Sequence, residues 1–393
     1  MADVADVVVI GGGCSGASIA WQLARRGAGR IVLLEKTGIA AGATGRSSAV
    51  VRTHYTHEAL ARMSLAALRI FECFDEVVGG DVGFHRAGLL VLLGPEDVDA
   101  VAANVAMHRR LGIEAYTLTV DELADLEPRM NQAGIGAIAW EPQSGYADPV
   151  LAASAFAEAG RRCAVDQRIG VTARALIVGP RGIEQVETSV GQIRTRTVVV
   201  AAGYRSRELL APLGFDLPLR PIRHTIAIVQ RSPSFGKPHP TISDRVGGAY
   251  YRPDGQQLTL IGASSPFDGI EDADVEVDRT PDATDELRMV SRFCQRFPSE
   301  EAAGLRRGYT GVYDCSPDLQ PVLGSVPGIE GLHVATGFSG HGFKLSPITG
   351  QLIAEKIVDG RTTLVDINLF SPGRFASGRL IDSPHGYSVP THG

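Results

Sequence analysis

The chain has 393 residues, of which 21% are charged, and its formal net charge is −6. This length suits one large domain or two interleaved domains. The acidic balance and the lack of a basic run argue against nucleic-acid binding, and no stretch approaches the roughly 20 apolar residues of a membrane span.

Cysteines, the N-terminus and lysines give three further indications. The five cysteines include no C-x-x-C pair, which argues against a disulfide framework or a cysteine-based zinc site. Two acids precede the first apolar run, the wrong charge order for a signal peptide, so we expect a cytoplasmic protein. Only four of the 38 basic residues are lysines, and each therefore stands out against arginine as the default cation.

The first 35 residues carry a dinucleotide-binding pattern. The apolar run Val7–Ile10 predicts a buried parallel strand. Gly11, Gly13 and Gly16 follow it in the spacing G-x-G-x-x-G, ahead of a helical pattern and a second apolar run that ends on Glu35. The glycines permit a tight turn, a close approach to a pyrophosphate and close packing of helix on strand. The helix N-terminus would face the phosphates, and Glu35 would accept hydrogen bonds from the ribose.

A second loop of small residues favours FAD over NAD. The run from Gly42 to Ser48, GATGRSS, stands where an NAD domain would normally continue into its next helix. Together with Glu35 and Arg52, this run resembles the flavoprotein family that contains D-amino-acid oxidase, glycine oxidase, sarcosine oxidase and dimethylglycine dehydrogenase. The resemblance is greatest to the sarcosine oxidase branch, including the β subunits of heteromeric sarcosine oxidases, and covers nearly the whole chain.

The resemblance implies an α/β fold (α+β overall) in which a Rossmann-like FAD-binding domain is interleaved with a mostly antiparallel β-sheet substrate domain. The expected FAD-binding domain comprises residues 1–85, 148–215 and 323–370. The expected substrate domain comprises 86–147 and 216–322, and the tail 371–393 is expected to pack loosely or to make an oligomer contact. The expected cofactor-binding residues are Gly11, Gly13, Cys14, Ser15, Gly16, Glu35, Lys36, Gly42, Thr44, Arg46, Ser47, Ser48, Val171, Ala202, Gly203, Gly337, Gly340, His341, Gly342, Phe343 and Lys344.

A glycine-rich loop near the C-terminus, TGFSGHGFK, ends on Lys344 and is specific to the sarcosine oxidase branch. Ser346 and Pro347 suit the N-cap and first position of the helix that follows. In relatives this helix N-terminus points at the pyrimidine end of the flavin, where two-electron reduction places negative charge. His341 is expected to shape this site rather than to titrate in catalysis.

Arg52 and Lys344 occupy the positions at which sarcosine oxidase relatives bind the substrate carboxylate. A fixed pair of cations suits a carboxylate in a partly desolvated pocket. The alternative for Arg52 is an ordinary surface arginine. His224, Tyr250 and Tyr251 are further candidates for facing the flavin, although as strand residues they could equally belong to the core.

Two features depart from the pattern of these relatives. Relatives that react rapidly with oxygen carry a second lysine near the position of residues 259–261, but no lysine lies between Lys237 and Lys344. We therefore expect a poor oxidase, or a dehydrogenase that passes electrons to another acceptor. Where some relatives attach the flavin covalently through a cysteine, this chain has Gly311, so we expect non-covalent FAD, with Cys315 near the flavin edge or simply buried.

The resemblance implies oxidation of the C–N bond of a small amino acid, a secondary or N-methyl amine, by hydride transfer to flavin N5 and hydrolysis of the resulting imine. The alternatives are a D-amino acid, cyclic imino acid or larger amine as substrate, or an FAD-bearing subunit of a heteromeric sarcosine oxidase or proline dehydrogenase complex. We expect no metal, because His54 and His57 stand without a third ligand or a paired acid.

Overall fold

A mostly parallel sheet forms from the short apolar runs that the sequence separates with helices. The computed structural model describes residues 3–265, 268–271, 279–301 and 303–389. Its six-stranded sheet has the order β10-β3-β2-β14-β23-β22, and only the β22–β23 pair is antiparallel. The strands are β2 (Val7–Ile10), β3 (Ile31–Glu35), β10 (Asp166–Ile169), β14 (Thr197–Val200), β22 (Val322–Ser325) and β23 (Leu332–Thr336).

A larger, mostly antiparallel sheet draws on two distant parts of the chain. Its order is β19-β15-β18-β17-β16-β6-β8-β7, with β20 and β21 also paired to β15. The strands are β6 (Leu89–Leu93), β7 (Tyr116–Thr117), β8 (Ala137–Glu141), β15 (Arg220–Gln230), β16 (Thr241–Asp244), β17 (Ala249–Asp254), β18 (Leu258–Ala263), β19 (Ile270–Glu271), β20 (Gly304–Leu305) and β21 (Tyr309–Cys315). The parallel pairing of β16 with β6 joins the two parts. The mixed α/β fold expected from the sequence is confirmed.

The remaining strands of the described residues form two small sheets. They have the orders β1-β13-β12-β11 and β4-β9-β5. Their strands are β1 (Asp3–Val4), β4 (Val50–Val51), β5 (His85–Arg86), β9 (Gly145–Tyr146), β11 (Ala173–Gly179), β12 (Gly182–Thr188) and β13 (Gly191–Arg194).

The sheets are connected and covered by nine α-helices among the described residues. They are α1 (Cys14–Arg25), α2 (Glu58–Glu72), α3 (Phe74–Val77), α4 (Val98–Arg110), α5 (Val120–Leu126), α6 (Pro149–Arg162), α7 (Ser206–Leu210), α8 (Ala283–Arg296) and α9 (Gly342–Val358). Helix α1 packs against both α6 and α9, so that the first and last helices of the chain are neighbours. No helix of the described residues is both long enough and apolar enough to cross a membrane.

The C-terminal tail is tied to the rest of the protein at several points. Arg374 is buried and its Nε lies 2.7 Å from Oδ2 of Asp318. Further along, the Tyr387 hydroxyl lies 2.6 Å from Nε2 of His54, and the Ser388 backbone N–H donates to Asp97. The expectation of loose packing is therefore wrong at these points, where buried polar groups of the main body find their partners in the tail, whereas residues 376–380 between them are exposed.

An aromatic cluster under α8 supports the larger sheet, and its removal gives a stability prediction. Phe293 is fully buried, with its ring centroid 5.1 Å from that of Phe297 and 5.6 Å from that of Tyr251. We expect Phe293→Ala to lower the free energy of unfolding by about 3–5 kcal/mol, because it leaves a cavity in a packed core. Urea denaturation measures the change. Leu287→Ala, on the same helix with a side chain 60% exposed, is the control and should stay within about 0.5 kcal/mol of the parent. Equal effects of the two substitutions would contradict the prediction.

Candidate active site

The glycines after β2 form a cradle that admits no side chains. Gly11 has a φ of 115°, and a Cβ there would lie 2.3 Å from the carbonyl oxygen of Ala201. A Cβ on Gly16 would lie 1.9 Å from the carbonyl oxygen of Gly11. Gly13 is the N-cap of α1 and provides no side-chain hydrogen bond. The first turn of the helix therefore presents the backbone donor of Ser15 to a ligand, whereas that of Cys14 bonds to Thr44.

Glu35 closes one side of this cradle. Its Oε2 accepts from the Gly12 backbone N–H at 2.7 Å, and its Oε1 accepts from the Thr37 backbone N–H at 2.8 Å. A carboxylate has further lone pairs, so these bonds fix the orientation of the group and leave capacity for hydroxyl donors. The Val171 backbone N–H donates to the Glu35 carbonyl at 3.0 Å, which places Val171 beside the end of β3. Lys36 is exposed.

The second small-residue loop folds back onto the start of α1. The Thr44 hydroxyl accepts from the Cys14 backbone N–H at 3.1 Å. Residues Thr44–Arg46 form a single 3₁₀ turn, and the Ser47 hydroxyl accepts from the Ala49 backbone N–H. The two loops that the sequence singled out are therefore adjacent, and together they form one continuous polar surface of backbone groups and hydroxyls.

Strand β21 contributes Asp314 to the same region, a residue that the sequence analysis does not single out. Asp314, at the end of β21, accepts from the Gly337 backbone N–H at 2.7 Å and from the Thr336 hydroxyl at 3.1 Å. The Thr336 hydroxyl also lies 2.8 Å from the Gly203 carbonyl oxygen, which follows Ala202. Asp314 thus fixes the start of the glycine-rich loop. Its position two residues before the Ser-Pro-Asp triplet was a signal that could have been noticed.

Helix α9 begins at Gly342 with His341 as its N-cap, five residues before the predicted first helical residue Pro347 and the predicted N-cap Ser346. That prediction is wrong because Ser346 compensates for the proline. Pro347 lacks the N–H that would bond to the Phe343 carbonyl, and the Ser346 hydroxyl donates to that carbonyl instead, at 2.7 Å. The N-cap His341 makes no side-chain capping bond, so the backbone donors of residues 342–344 remain directed into the site. The Phe343 side chain itself packs on Phe71 in the core.

A cavity of about 80 Å³ lies between this helix start and the larger sheet. Its lining combines Ser48, Gly340, His341 and Lys344 from the cofactor side with residues of β16, β17 and β21 from the sheet. It is lined by Ser48, Val50, Arg52, Leu89, Thr241, Ile242, Ser243, Arg245, Tyr250, Ser264, Tyr313, Gly340, His341 and Lys344. Both predicted carboxylate-binding residues, Arg52 and Lys344, therefore contribute to one cavity.

Arg245 is a third cation in this cavity, and sequence reasoning did not single it out among 34 arginines. Burial, together with the charge of Arg52, lowers the pKa of Arg245 to about 9. Burial, again with Arg52 nearby, lowers the pKa of Lys344 well below its ordinary value. No Asp or Glu is among the described residues that line the cavity. The cavity therefore favours an anionic ligand, which would relieve the repulsion among its cations.

His341 is held neutral and fixed. Its Nε2 lies 3.0 Å from the Leu319 carbonyl oxygen, which can only accept, so Nε2 carries the proton and Nδ1 accepts from the Tyr55 hydroxyl at 3.1 Å. Burial, together with the charge of Lys344, lowers the pKa of His341 well below its ordinary value. That His341 shapes the site rather than titrates in catalysis stays a prediction, which this arrangement favours.

Tyr250, not Tyr251, faces the cavity. Tyr251 is fully buried on the other face of β17, where its hydroxyl donates to the Arg292 carbonyl at 3.0 Å. The expectation that Tyr251 faces the flavin is therefore wrong, because successive residues of a strand point to opposite faces. His224 does not line the cavity either, since its ring stacks beside that of Tyr313, with centroids 4.2 Å apart, and Tyr313 lines the cavity.

The two departures from the family pattern can also be located. Leu260 pairs with Arg252 and shares the sheet face of Tyr250, so an apolar side chain stands in the stretch where oxygen-reactive relatives keep a lysine. Gly311 lies against the small-residue loop, with a Cβ there 3.4 Å from the Arg46 carbonyl oxygen. Cys315 is buried against Ile222 and is not among the residues that line the cavity.

His54 does not pair with His57, which instead caps α2. The premise that His54 has neither a further ligand nor a paired acid is wrong: His54, His108 and Glu141 lie together, all buried. These residues come from three distant segments of the chain, so their spacing in the sequence carried no signal of the cluster.

Comparison with known proteins identifies the family. The family described as DAO, FAD dependent oxidoreductase, matches residues 6–356. Rat dimethylglycine dehydrogenase is 27% identical over 393 residues, which cover 95% of this chain and 45% of that protein. The chain thus spans about half the length of the dimethylglycine dehydrogenases that it matches. The sarcosine oxidase subunit beta of Arthrobacter sp is 27% identical over 398 residues, which cover 98% of this chain and 95% of that subunit.

Solved structures show the same fold. L-proline dehydrogenase from P. horikoshii superposes with a TM-score of 0.88 at 27% identity, covering 97% of this chain and 100% of that one. Glycine oxidase from Geobacillus kaustophilus superposes with a TM-score of 0.81 at 25% identity, covering 94% and 98%. The chain belongs to the DAO family of FAD-dependent oxidoreductases, and FAD is its cofactor. The glycine cradle and the N-terminal turn of α1, whose N-cap is a glycine, fit the pyrophosphate of that cofactor.

Proposed function

We propose that the chain oxidises the C–N bond of a small amino acid, a secondary or N-methyl amine of the sarcosine type. The observation that carries this proposal is the cavity beside the cofactor-binding loops, which contains three cations and no described acid. The relatives support it, because sarcosine, dimethylglycine, glycine and L-proline, after which these relatives are named, are all small amino acids.

The residues of the cavity would bind and orient the substrate. Arg52, Arg245 and Lys344 would hold the carboxylate, which fixes the position of the neighbouring C–N bond. No described lining residue is a carboxylate that could pair with an ammonium group, and both nitrogens of His341 are engaged. The amine would therefore bind in its neutral form. When bound, FAD supplies the two-electron acceptor.

A panel of substrates tests this proposal. Under anaerobic conditions we expect sarcosine, dimethylglycine or L-proline to bleach the flavin absorbance of the purified chain, whereas the methyl esters of the same compounds should not, because they lack the carboxylate. Bleaching by the esters at equal rates would contradict the role of the three cations. Bleaching by larger amines alone, or by D-amino acids alone, would overturn the proposed substrate class.

A second candidate is an FAD-bearing subunit that needs partner chains. The full-length match to a sarcosine oxidase subunit beta favours it. Failure of every substrate in the panel, together with a monomeric elution from gel filtration and a normal FAD content, would support this second candidate over a self-sufficient enzyme.

The lowered pKa of Lys344 predicts pH-dependent binding. A bound carboxylate stabilises the charged lysine, so binding takes up a proton, and affinity is lost as the pH rises through the pKa of the empty pocket. We expect the Kd of propionate, which has no amine to titrate, to rise by up to about tenfold per pH unit once the pH exceeds the lowered pKa of Lys344 in the empty pocket. Titration of the flavin spectrum measures it.

Lysine variants complete this test. Lys344→Met should bind propionate more weakly and without this pH dependence. Lys237→Met, which removes an exposed lysine, should match the parent. A pH dependence that survives in Lys344→Met would show that another group titrates.

The side chain at position 260 predicts slow reaction with oxygen. A cation near the reacting centre stabilises developing superoxide, and Leu260 provides none. We expect the photoreduced flavin to reoxidise slowly in aerated buffer and Leu260→Lys to accelerate it, with stopped-flow absorbance as the measurement. The matched control is Leu260→Met, which alters the same position without adding a charge and should not accelerate reoxidation. A lysine at the neighbouring position, Tyr251→Lys, is unsuitable as a control because it would disrupt the core. Rapid reoxidation of the parent protein would contradict the prediction.

A further inference from the structure

Three buried side chains outside the cavity direct unsatisfied atoms at one another. His54 follows β4, His108 lies in α4 and Glu141 ends β8, and their side chains are between 0% and 3% exposed. Nδ1 of His54 lies 3.5 Å from Oε1 of Glu141, and Nδ1 of His108 lies 3.9 Å from the same oxygen. These three atoms lack any hydrogen-bond partner.

Every other polar atom of the three side chains is engaged. Nε2 of His108 lies 2.7 Å from the Tyr55 carbonyl oxygen, and Nε2 of His54 lies 2.6 Å from the Tyr387 hydroxyl. Oε2 of Glu141 accepts from the Ser144 hydroxyl at 2.7 Å, and also from the hydroxyl and backbone N–H of Thr53 at 2.9 and 3.1 Å. The two imidazoles and the carboxylate are therefore fixed in orientation by surrounding groups.

The hydrogen bonds also determine where the lone pairs point. A carbonyl oxygen only accepts, so Nε2 of His108 carries the proton and the Nδ1 lone pair faces Glu141. A buried lone pair that faces a carboxylate oxygen without a donor between them is unfavourable. A proton on Nδ1 of His54 could serve Glu141, but it would leave Nδ1 of His108 unsatisfied. A cation between the three atoms satisfies all of them at once.

We propose that His54, His108 and Glu141 bind one divalent metal ion, with zinc as the ion that best suits them. Two imidazole nitrogens and one carboxylate oxygen are a known ligand set for zinc, and ligands about 2.0–2.2 Å from the ion stand roughly 3.3–3.8 Å from one another. The three ligand atoms lie within 4.8 Å of one another, so a small contraction brings them to that geometry. The partners of the outer atoms match the hydrogen bonds that usually orient metal ligands.

Three protein ligands leave a fourth position for water, but the site has no open access, so the ion would serve structure rather than catalysis. The site is closed by the tail, whose Tyr387 ring stacks on the His54 ring with centroids 5.9 Å apart. The ion would join three segments that are distant in sequence. By fixing His108 it would also help to hold Tyr55, which is bonded at two points. The Tyr55 carbonyl bonds to His108 and its hydroxyl bonds to His341. This inference does not depend on the substrate proposed above.

Metal analysis of the FAD-loaded full chain tests the proposal. After growth with added zinc, we expect about one zinc ion per chain by mass spectrometry, and X-ray absorption should show imidazole and carboxylate ligands. Chelation should lower Tm. Zinc added back should restore Tm, since the ion binds the folded chain.

Variants separate this site from adventitious zinc. Glu141→Gln and His108→Gln should lose the zinc, and Tyr387→Phe, which removes only a partner of His54, should bind it about 10–100-fold more weakly. His85→Gln, which alters an exposed histidine, should keep the full content. If the ligand variants do not fold, Tyr387→Phe and the chelation experiment on the parent decide the question. A folded parent that holds no zinc and shows no rise in Tm with zinc, or zinc retained in Glu141→Gln, would overturn the proposal.

Discussion

The close contact of backbone with backbone at the end of β2 is the constraint on which the cofactor site depends. Gly11 meets Ala201, and Gly16 meets Gly11, at distances that leave no room for a Cβ. This contact draws the start of α1 onto the carboxyl ends of β2 and β14, where the helix N-terminus can face the cofactor. Helix α9 then packs on α1, and its own uncapped start is directed at the same region. The N-termini of α1 and α9 can therefore approach the same region because Gly11 and Gly16 have no side chains.

The sequence was informative wherever the chemistry is local. Strand β2 and the glycines after it lie as predicted, because their spacing and burial depend on neighbours a few residues away. The start of α9 was misjudged because Ser346 replaces the donor that Pro347 lacks, a compensation that no capping pattern reveals. Tyr251 was misassigned because a strand pattern does not state which face meets the cofactor. Arg245 and the His54 cluster were missed because their partners are brought together only by the tertiary fold.

The cavity and the cluster of His54, His108 and Glu141 differ in the charge of the ligand that they favour. Arg52, Arg245 and Lys344 line one cavity, and burial, together with the charge of Arg52, lowers the pKa values of Lys344 and Arg245. In the cluster, a carboxylate and two imidazoles have lone pairs directed at a common point. One region is prepared for an anion and the other for a cation, and Tyr55 contacts both through His341 and His108.

The packing of α1 against α9 has a consequence for synthesis of the chain. Residues 14–25 leave the ribosome early, but their partner helix spans residues 342–358, and β14 is paired on one side by β23 at residues 332–336. The cofactor site therefore cannot be completed until about nine-tenths of the chain has been made. Until then the apolar face of α1 lacks its final cover, which makes the nascent chain a substrate for chaperones. Binding of the cofactor is therefore expected late in folding, after nearly the whole polypeptide has been made.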